Sequence, residues 1–325
     1  MKPIISASIE TWPVAGSFII SRGAKTEVAV VVAQIEGGGV TGRGEATPIY
    51  YHSETAENCA AAVRGYDGPL RHDALLAGMK RGAARNALDA ALWDWEAKRT
   101  GIPAWQAAGL PPPAPVATAI TVSLGPPEVM RSHAAEAAAR GFGLIKLKLS
   151  GEGDLDRVAA VRAGAPHARL IVDANEAWTG LDVAAMAAGL LPYGVELIEQ
   201  PVKAGEDHLL DGVLSPIPLC ADESCQDRTD LARCLGRYDA INIKLDKAGG
   251  LTEAMGLAAE VRAAGMKVML GCRLSTSLGI APALLLSGQA DWVDLDGPLL
   301  LAQDREGGVR EQGGQLFPPR LGFWG

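Results

Sequence analysis

The chain has 325 residues, a formal charge of −8 and a 48% hydrophobic content, enough for one large barrel or two ordinary domains around a substantial core. Its acidic balance, with no basic cluster interleaved with aromatics, argues against nucleic-acid binding. No apolar run approaches the roughly 20 residues of a membrane helix.

Met1-Lys2-Pro3 opens no apolar signal stretch, so a cytoplasmic location is expected. The five cysteines, at positions 59, 220, 225, 234 and 272, form no C-x-x-C pair. They read as small apolar residues in a reducing compartment.

Taken from the N-terminus, residues 27–36 are predicted as a strand that turns at Gly37-Gly38-Gly39. Gly39, Gly42 and Gly44 have the wrong spacing for a dinucleotide loop, and no βαβ unit follows them. Residues 83–99 form a long amphipathic pattern ended by Thr100-Gly101 and Pro103. Pro111-Pro112-Pro113 is a linker candidate, so residues 1–115 are expected to form an α+β domain. Beyond it the chain becomes repetitive. Short β-rich segments recur at 116–122, 143–149, 169–175, 195–201, 218–224, 240–246, 267–272 and 292–297, most of them separated by Ala/Leu-rich stretches of helical period. Such alternation implies parallel βα units, and eight strands suggest a closed barrel over 116–308.

In such a barrel the chemistry sits at the C-terminal ends of the strands. Here those ends carry Lys146 and Lys148, Asp173 and Asn175, Glu199-Gln200-Pro201, Asp222 and Glu223, Lys244, and Asp294 with Asp296. Strand alternation puts Lys146 and Lys148 on one face. On the sixth strand it groups Asn242, Lys244 and Asp246, and it assigns Lys247 to the opposite, apolar parity. Lys148, Asp173, Glu199, Asp222 and Lys244 follow one another at intervals of 22 to 26 residues, one βα unit each. A lone carboxylate at a strand end is usually solvated or caps the next helix. Five charges in phase converge on one mouth, and burying them without a ligand would cost several kcal/mol per ion.

At these residues the chain resembles the enolase superfamily, in its muconate-lactonising-enzyme subgroup. The resemblance spans nearly the whole length. It rests on Gly42-Arg43-Gly44-Glu45-Ala46-Thr47-Pro48, the helix from Ala87 to Asp94, Lys146-Leu147-Lys148, Asp173-Ala174-Asn175, Glu199-Gln200-Pro201, Ala221-Asp222-Glu223-Ser224 and Asn242-Ile243-Lys244. It implies an α/β fold: a modified (β/α)7β TIM-type barrel under an N-terminal α+β capping domain, with the tail 309–325 returning to the cap. Asp294-Leu295-Asp296 further resembles the dipeptide epimerases, where such a pair holds the substrate's α-ammonium group. The implied partner is a small dipeptide, of the kind met in peptidoglycan peptide metabolism. The chain would act on it alone or as a homo-oligomer.

Asp173, Glu199 and Asp222 supply three oxygen ligands from successive strands, which suits one Mg2+ per subunit. Loss of an α-proton beside a carboxylate builds a second negative charge that such a dication stabilises. Lys148 and Lys244 come from strands four apart, hence from opposite walls, as acid and base on the two faces of an α-carbon. Lys146 is expected to stay protonated and steady the substrate carboxylate. Two lysines about 7 Å apart on one strand repel by about 2.4 kcal/mol at an effective dielectric of 20. Repulsion of that size would lower a lysine pKa by under about two units. Asn175 and Glu223 are expected to orient a ligand carboxylate and Lys244, respectively; a purely structural role for either carries equal weight.

N-acylamino-acid racemase and o-succinylbenzoate synthase, of the same superfamily, would use the same lysines and metal, but their substrates offer Asp294 and Asp296 no cation. A barrel that merely binds a small ligand is the non-catalytic alternative. For substrate choice, the segment Ser21-Arg22-Gly23-Ala24-Lys25 is the candidate cap loop. Lys25 matches a position where epimerases of L-Ala-D/L-Glu place a cation, often Arg. Arg22 and Lys25 read equally well as solvated loop residues.

Overall fold

The computed structural model describes residues 2–20 and 23–325. Arg22, a candidate substrate contact, lies outside the described residues. Three antiparallel strands open the chain: β1 (Ile4–Ile20), β2 (Gly23–Gly37) and β3 (Val40–Ala46). The β1–β2 register shifts between Pro13 and Phe18, where proline cannot donate to the ladder. Helices α1 (Ala56–Arg64), α2 (His72–Gly78), α3 (Ala83–Thr100) and α4 (Ala104–Ala107) complete the cap. The glycines of the Gly-x-Gly motif on β3 are packing devices. A Cβ on Gly44 would stand 2.2 Å from the Ala87 carbonyl oxygen, and one on Gly42 2.3 Å from that of Ala91. Only glycine lets α3 lie this close on the strand.

The expected strand 116–122 divides in two. β4 (Val116–Ala117) pairs with the tail, and β5 (Ile120–Val122) begins the barrel. There follow α5 (Pro127–Ala139), β6 (Leu144–Lys148), α6 (Asp154–Gly164), β7 (Arg169–Asp173), α7 (Val183–Leu190), β8 (Val195–Glu199) and β9 (Leu219–Ala221). The remainder is α8 (Leu231–Cys234), β10 (Ala240–Ile243), α9 (Leu245–Ala248), α10 (Leu251–Ala263), β11 (Lys267–Gly271), α11 (Ser277–Leu284) and β12 (Trp292–Asp294). Strands β5 to β12 form one parallel sheet in sequence order. Hydrogen bonds from Ala119 N to Val293 O (2.8 Å) and from Leu295 N to Thr118 Oγ1 (2.9 Å) join its two edges. The β8–β9 connection has one 3-10 turn, Asp207–Leu210, in place of a helix. Strands β13 (Arg310–Gln312) and β14 (Gln315–Phe317) lead into the C-terminal segment.

The barrel interior changes character along its axis. Ala119, Leu144, Ile171, Leu197, Cys220, Ala240, Met269 and Trp292 form a closed apolar cluster at one level. Two residues further along each strand, the period of the pleat, stand Thr121, Lys146, Asp173, Glu199, Asp222, Asn242, Gly271 and Asp294. An apolar floor thus carries a polar ring.

Buried polar links join cap and barrel. Arg85 on α3 donates to Gly249 O (2.9 Å) and Ala248 O (2.7 Å), at the C-terminus of α9. Asp246 Oδ1 accepts from Thr47 N (2.9 Å) and Asn86 Nδ2 (3.0 Å). Glu45 bonds Thr276 and Arg305. Trp324 Nε1 donates to Ala90 O at 3.1 Å, and Gly325 N to Asp94 Oδ1 at 2.8 Å. Among the described residues no helix is long and apolar enough to cross a membrane.

Candidate active site

A cavity of about 300 Å³ lies above the polar ring, between the barrel mouth and the cap. Its walls include Lys146, Lys148, Asn175, Asp222, Glu223, Lys244, Asp294 and Asp296, with Lys25, Tyr50 and Tyr51 from the cap. Asp173 and Glu199 sit just beneath, fully buried, and hydrogen-bond or ion-pair with the lysines of the wall.

Lys146 Nζ lies 2.6 Å from Glu199 Oε2, 2.9 Å from Asp294 Oδ2 and 3.3 Å from Asp173 Oδ2. Lys148 Nζ donates to Asp173 Oδ2 at 2.6 Å. Across the barrel, Lys244 Nζ donates to Asp222 Oδ2 at 2.6 Å and stands 3.7 Å from Glu199 Oε1. Mutual repulsion does not set the state of Lys146. Burial lowers its pKa, but Asp294, Glu199 and Asp173 together raise it well above the ordinary lysine value. Lys244 is likewise pushed up, with Asp222 and Glu199 outweighing burial. At Lys146, opposite charges at 2.6–2.9 Å outweigh a like charge about 7 Å away.

The carboxylates divide by partner. Asp173, against burial, is lowered to about 2 by Lys148, Lys146 and Lys244. Burial and the neighbouring Asp173 raise Glu199 to about 7. Burial and Asp294 raise Asp296 to about 7. Asp296 does not cap the turn at Gly297-Pro298; its Oδ2 accepts from Thr121 N at 2.7 Å.

Asp173, Glu199 and Asp222 end adjacent strands and offer only hard oxygen donors. Glu199 Oε2 is buried without a hydrogen-bond partner, although the Lys146 ammonium touches it. Among the described residues no three His, Cys, Asp or Glu side chains stand grouped as a metal cage; lysine ammoniums fill the space between them. The donor chemistry and the raised Glu199 both fit an added cation.

Further residues complete the site through contacts that strand parity does not show. Asn242 Nδ2 donates to Glu199 Oε1 at 2.7 Å. Gln200, at φ +37°, accepts from Asp222 N (2.8 Å) and Ser224 N (3.0 Å) and so holds the end of β9. Lys247, assigned to the helix side by strand parity, is 1% exposed in α9 and donates to Asp222 Oδ1 at 2.5 Å. The strand ends at Ile243, so helical geometry governs beyond it. Asp246, grouped with Lys244 by the same parity, turns to the cap instead. Asn175 gives its backbone amide to Asp173 Oδ1 (2.9 Å). Arg273, two residues past β11, also lines the cavity.

Two family models cover the chain. "Mandelate racemase / muconate lactonizing enzyme, N-terminal domain" matches residues 5–109, and "Enolase C-terminal domain-like" matches residues 129–311. The L-Ala-D/L-Glu epimerase of Escherichia coli (strain K12) is 42% identical over 311 residues, 94% of this chain and 97% of that protein. The N-acetyl-D-glutamate racemase of a Pseudoalteromonas species is 39% identical over 92% and 95% of the two chains. Among solved structures, an enolase family member from Agrobacterium tumefaciens, with homology to dipeptide epimerases and holding sodium and L-Ala-L-Glu, superposes with a TM-score of 0.93 at 43% identity. That match covers 99% of this chain and 100% of the other. Solved dipeptide epimerases at 26–29% identity are complexed with Mg and a dipeptide. The chain belongs to the mandelate racemase/muconate lactonizing enzyme family of the enolase superfamily, among relatives that are epimerases and racemases.

Proposed function

We infer that this isomerase is a Mg2+-dependent dipeptide epimerase, inverting the α-carbon of the C-terminal residue of an L-Ala-D/L-Glu-like dipeptide. The observation that carries the reading is the pair Lys148 and Lys244, on opposite sides of one cavity that Asp294 and Asp296 also line.

A dipeptide lying between the two lysines presents one face of its α-carbon to each. Lys148 takes the α-proton from one face, and Lys244 returns a proton to the other. Lys146, ringed by carboxylates, stays charged and donates to the substrate carboxylate. Mg2+ held by Asp173, Glu199 and Asp222 would supply positive charge against the second negative charge that forms on that carboxylate. Asn175 would keep Asp173 in place, and Glu223, on the cavity wall, would help set Lys244. Asp294 and Asp296 would hold the α-ammonium group, with Thr121 fixing Asp296. Lys25, and Arg22 beside it in sequence, would meet the side-chain carboxylate.

A second reading, racemisation of an N-acylamino acid, draws on one observation: Lys146 already pairs with Asp294 at 2.9 Å, which reduces the negative charge left for an ammonium. The two readings separate on N-acylation. With Mg2+ present, L-Ala-L-Glu should lose its α-proton to D2O at least tenfold faster than its N-acetyl form, because a charged hydrogen bond contributes about 1.5–3 kcal/mol. Lys148→Ala and Lys244→Ala should each abolish net inversion while still exchanging the α-proton of one epimer with solvent deuterium. Faster turnover of the N-acetyl compound, or full inversion by Lys244→Ala, would overturn the proposal.

A further inference from the structure

The inward parity that yields Lys148 on β6 and Lys244 beyond β10 recurs beyond β11. Four residues on from the floor residue Met269 stands Arg273, as Lys244 stands four on from Ala240 and Lys148 four on from Leu144. Arg273 therefore belongs to the same upper tier of the mouth, and it lines the cavity with Lys25.

This arginine is poorly matched by the protein. Its Nε is buried without a hydrogen-bond partner, and among the described residues its guanidinium forms no ion pair. Glu54 and Asp246 feel its charge but form no ion pair with it. Glu54 accepts from Ile49 N (2.8 Å) and Ala83 N (3.1 Å), and Asp246 accepts from Thr47 and Asn86. The guanidinium carbon instead lies 5.9 Å and 6.0 Å from the ring centroids of Tyr50 and Tyr51. Those contacts lie at the outer limit of cation–π range and leave its charge unneutralised. Facing it in the same cavity, Lys25 pairs opposite Phe18 across the β1–β2 hairpin. Lys25 keeps an exposed surface; its partial burial and then the Arg273 charge lower its pKa. Two cations thus line one cavity, with Phe18, Tyr50, Tyr51 and Leu274 among its walls. Two like charges held together with no anion between them mark a place for one.

We propose that Arg273 is a specificity-determining residue, which together with Lys25 receives the side-chain carboxylate of an acidic C-terminal residue of the substrate. The proposal rests on the dipeptide reading above. Arginine's planar fork matches a carboxylate with two parallel N–H donors, whereas Lys25 adds a point charge. The substrate α-carboxylate is not the expected partner, because Lys146 already serves that position.

The test compares L-Ala-L-Glu with its neutral isostere L-Ala-L-Gln on the Mg2+-loaded enzyme, for the wild type, Arg273→Met and Lys25→Met. Both α-proton exchange in D2O and calorimetric binding are read. Wild type should favour the Glu dipeptide, and Arg273→Met should lower kcat/KM and affinity for it roughly ten- to a hundredfold. The Gln dipeptide should change by less than about threefold, with the loss appearing in KM rather than kcat. Lys25→Met should do the same more weakly. Equal losses on both dipeptides would make Arg273 a structural or α-carboxylate contact and overturn the proposal; so would an unchanged Glu preference in Arg273→Met. If wild type exchanges neither dipeptide, the dipeptide epimerase reading fails separately. The binding comparison then decides Arg273, whose assignment falls unless Arg273→Met selectively weakens the Glu compound.

Discussion

Gly271 is the one inward position of the polar ring that carries no side chain. A Cβ there would stand 2.4 Å from Asn242 Oδ1, and Asn242 is the residue that fixes Glu199 Oε1. Gly271→Ala should therefore push Asn242 off Glu199 and lower kcat/KM about ten- to a hundredfold, the usual effect of losing a residue that orients a ligand carboxylate. The double variant with Asn242→Ala is the check. If the clash acts through Asn242, the pair should be no slower than Asn242→Ala alone. Additive losses would place the effect elsewhere.

At the scale of elements, the junction of α2, α3 and α10 carries a buried titratable link. His72 Nδ1 lies 2.7 Å from Asp89 Oδ1 and Nε2 3.3 Å from Glu96 Oε2, with the ring stacked on Trp93. Thr252 on α10 closes the group by donating to Asp89. Burial lowers the His72 pKa, but Asp89 and Glu96 raise it further, to about 9. A folded pKa above the unfolded value of about 6.5 means a contribution complete below pH 6.5 and lost as pH rises through 9. At about 1.4 kcal/mol per pH unit this is roughly 3–3.5 kcal/mol. Urea unfolding at pH 6.5 and pH 9.5 should show the wild type losing that much more than His72→Gln; parallel losses would rule it out.

Elements also show what periodicity could and could not reveal. Lys146, Asp173, Glu199 and Asp222 were legible because each sits on or just past a strand, two residues above an apolar floor, and alternation fixes its direction. The same rule misplaced Asp246 and Lys247, since β10 stops at Ile243 and the next residues wind as a helix. Arg273 obeys the rule too, but it lies two residues past β11, whose end shows no carboxylate or lysine in phase with the others to mark it. The hydrogen bonds of Gln200 depend on a left-handed backbone that no sequence pattern announces.

For the whole molecule, barrel order and the cap were readable from the alternation of strands and helices and from the motifs. The coupling between them was not, because it runs through single side chains. Arg85 is the clearest case. From the cap it satisfies the carbonyls that end α9, the helix that Lys244 immediately precedes and that carries Lys247. Arg85→Met would leave those buried carbonyls without their charged donor, at a cost of about 2–4 kcal/mol. Because the displaced helix follows directly on a proposed proton carrier rather than a substrate contact, kcat should fall more than KM rises. A change confined to KM would contradict this path of coupling.

The eight apolar side chains that floor the barrel make the chamber a blind well. That floor closes the barrel from below, so the cap side of the mouth is the doorway in and out. Both epimers must use it, and so must the water that renews the protons of the two lysines. Traffic and chemistry are thereby put in series. A ligand lodged in that doorway would halt the forward and reverse conversions together, and would isolate the lysines from bulk solvent for as long as it stayed.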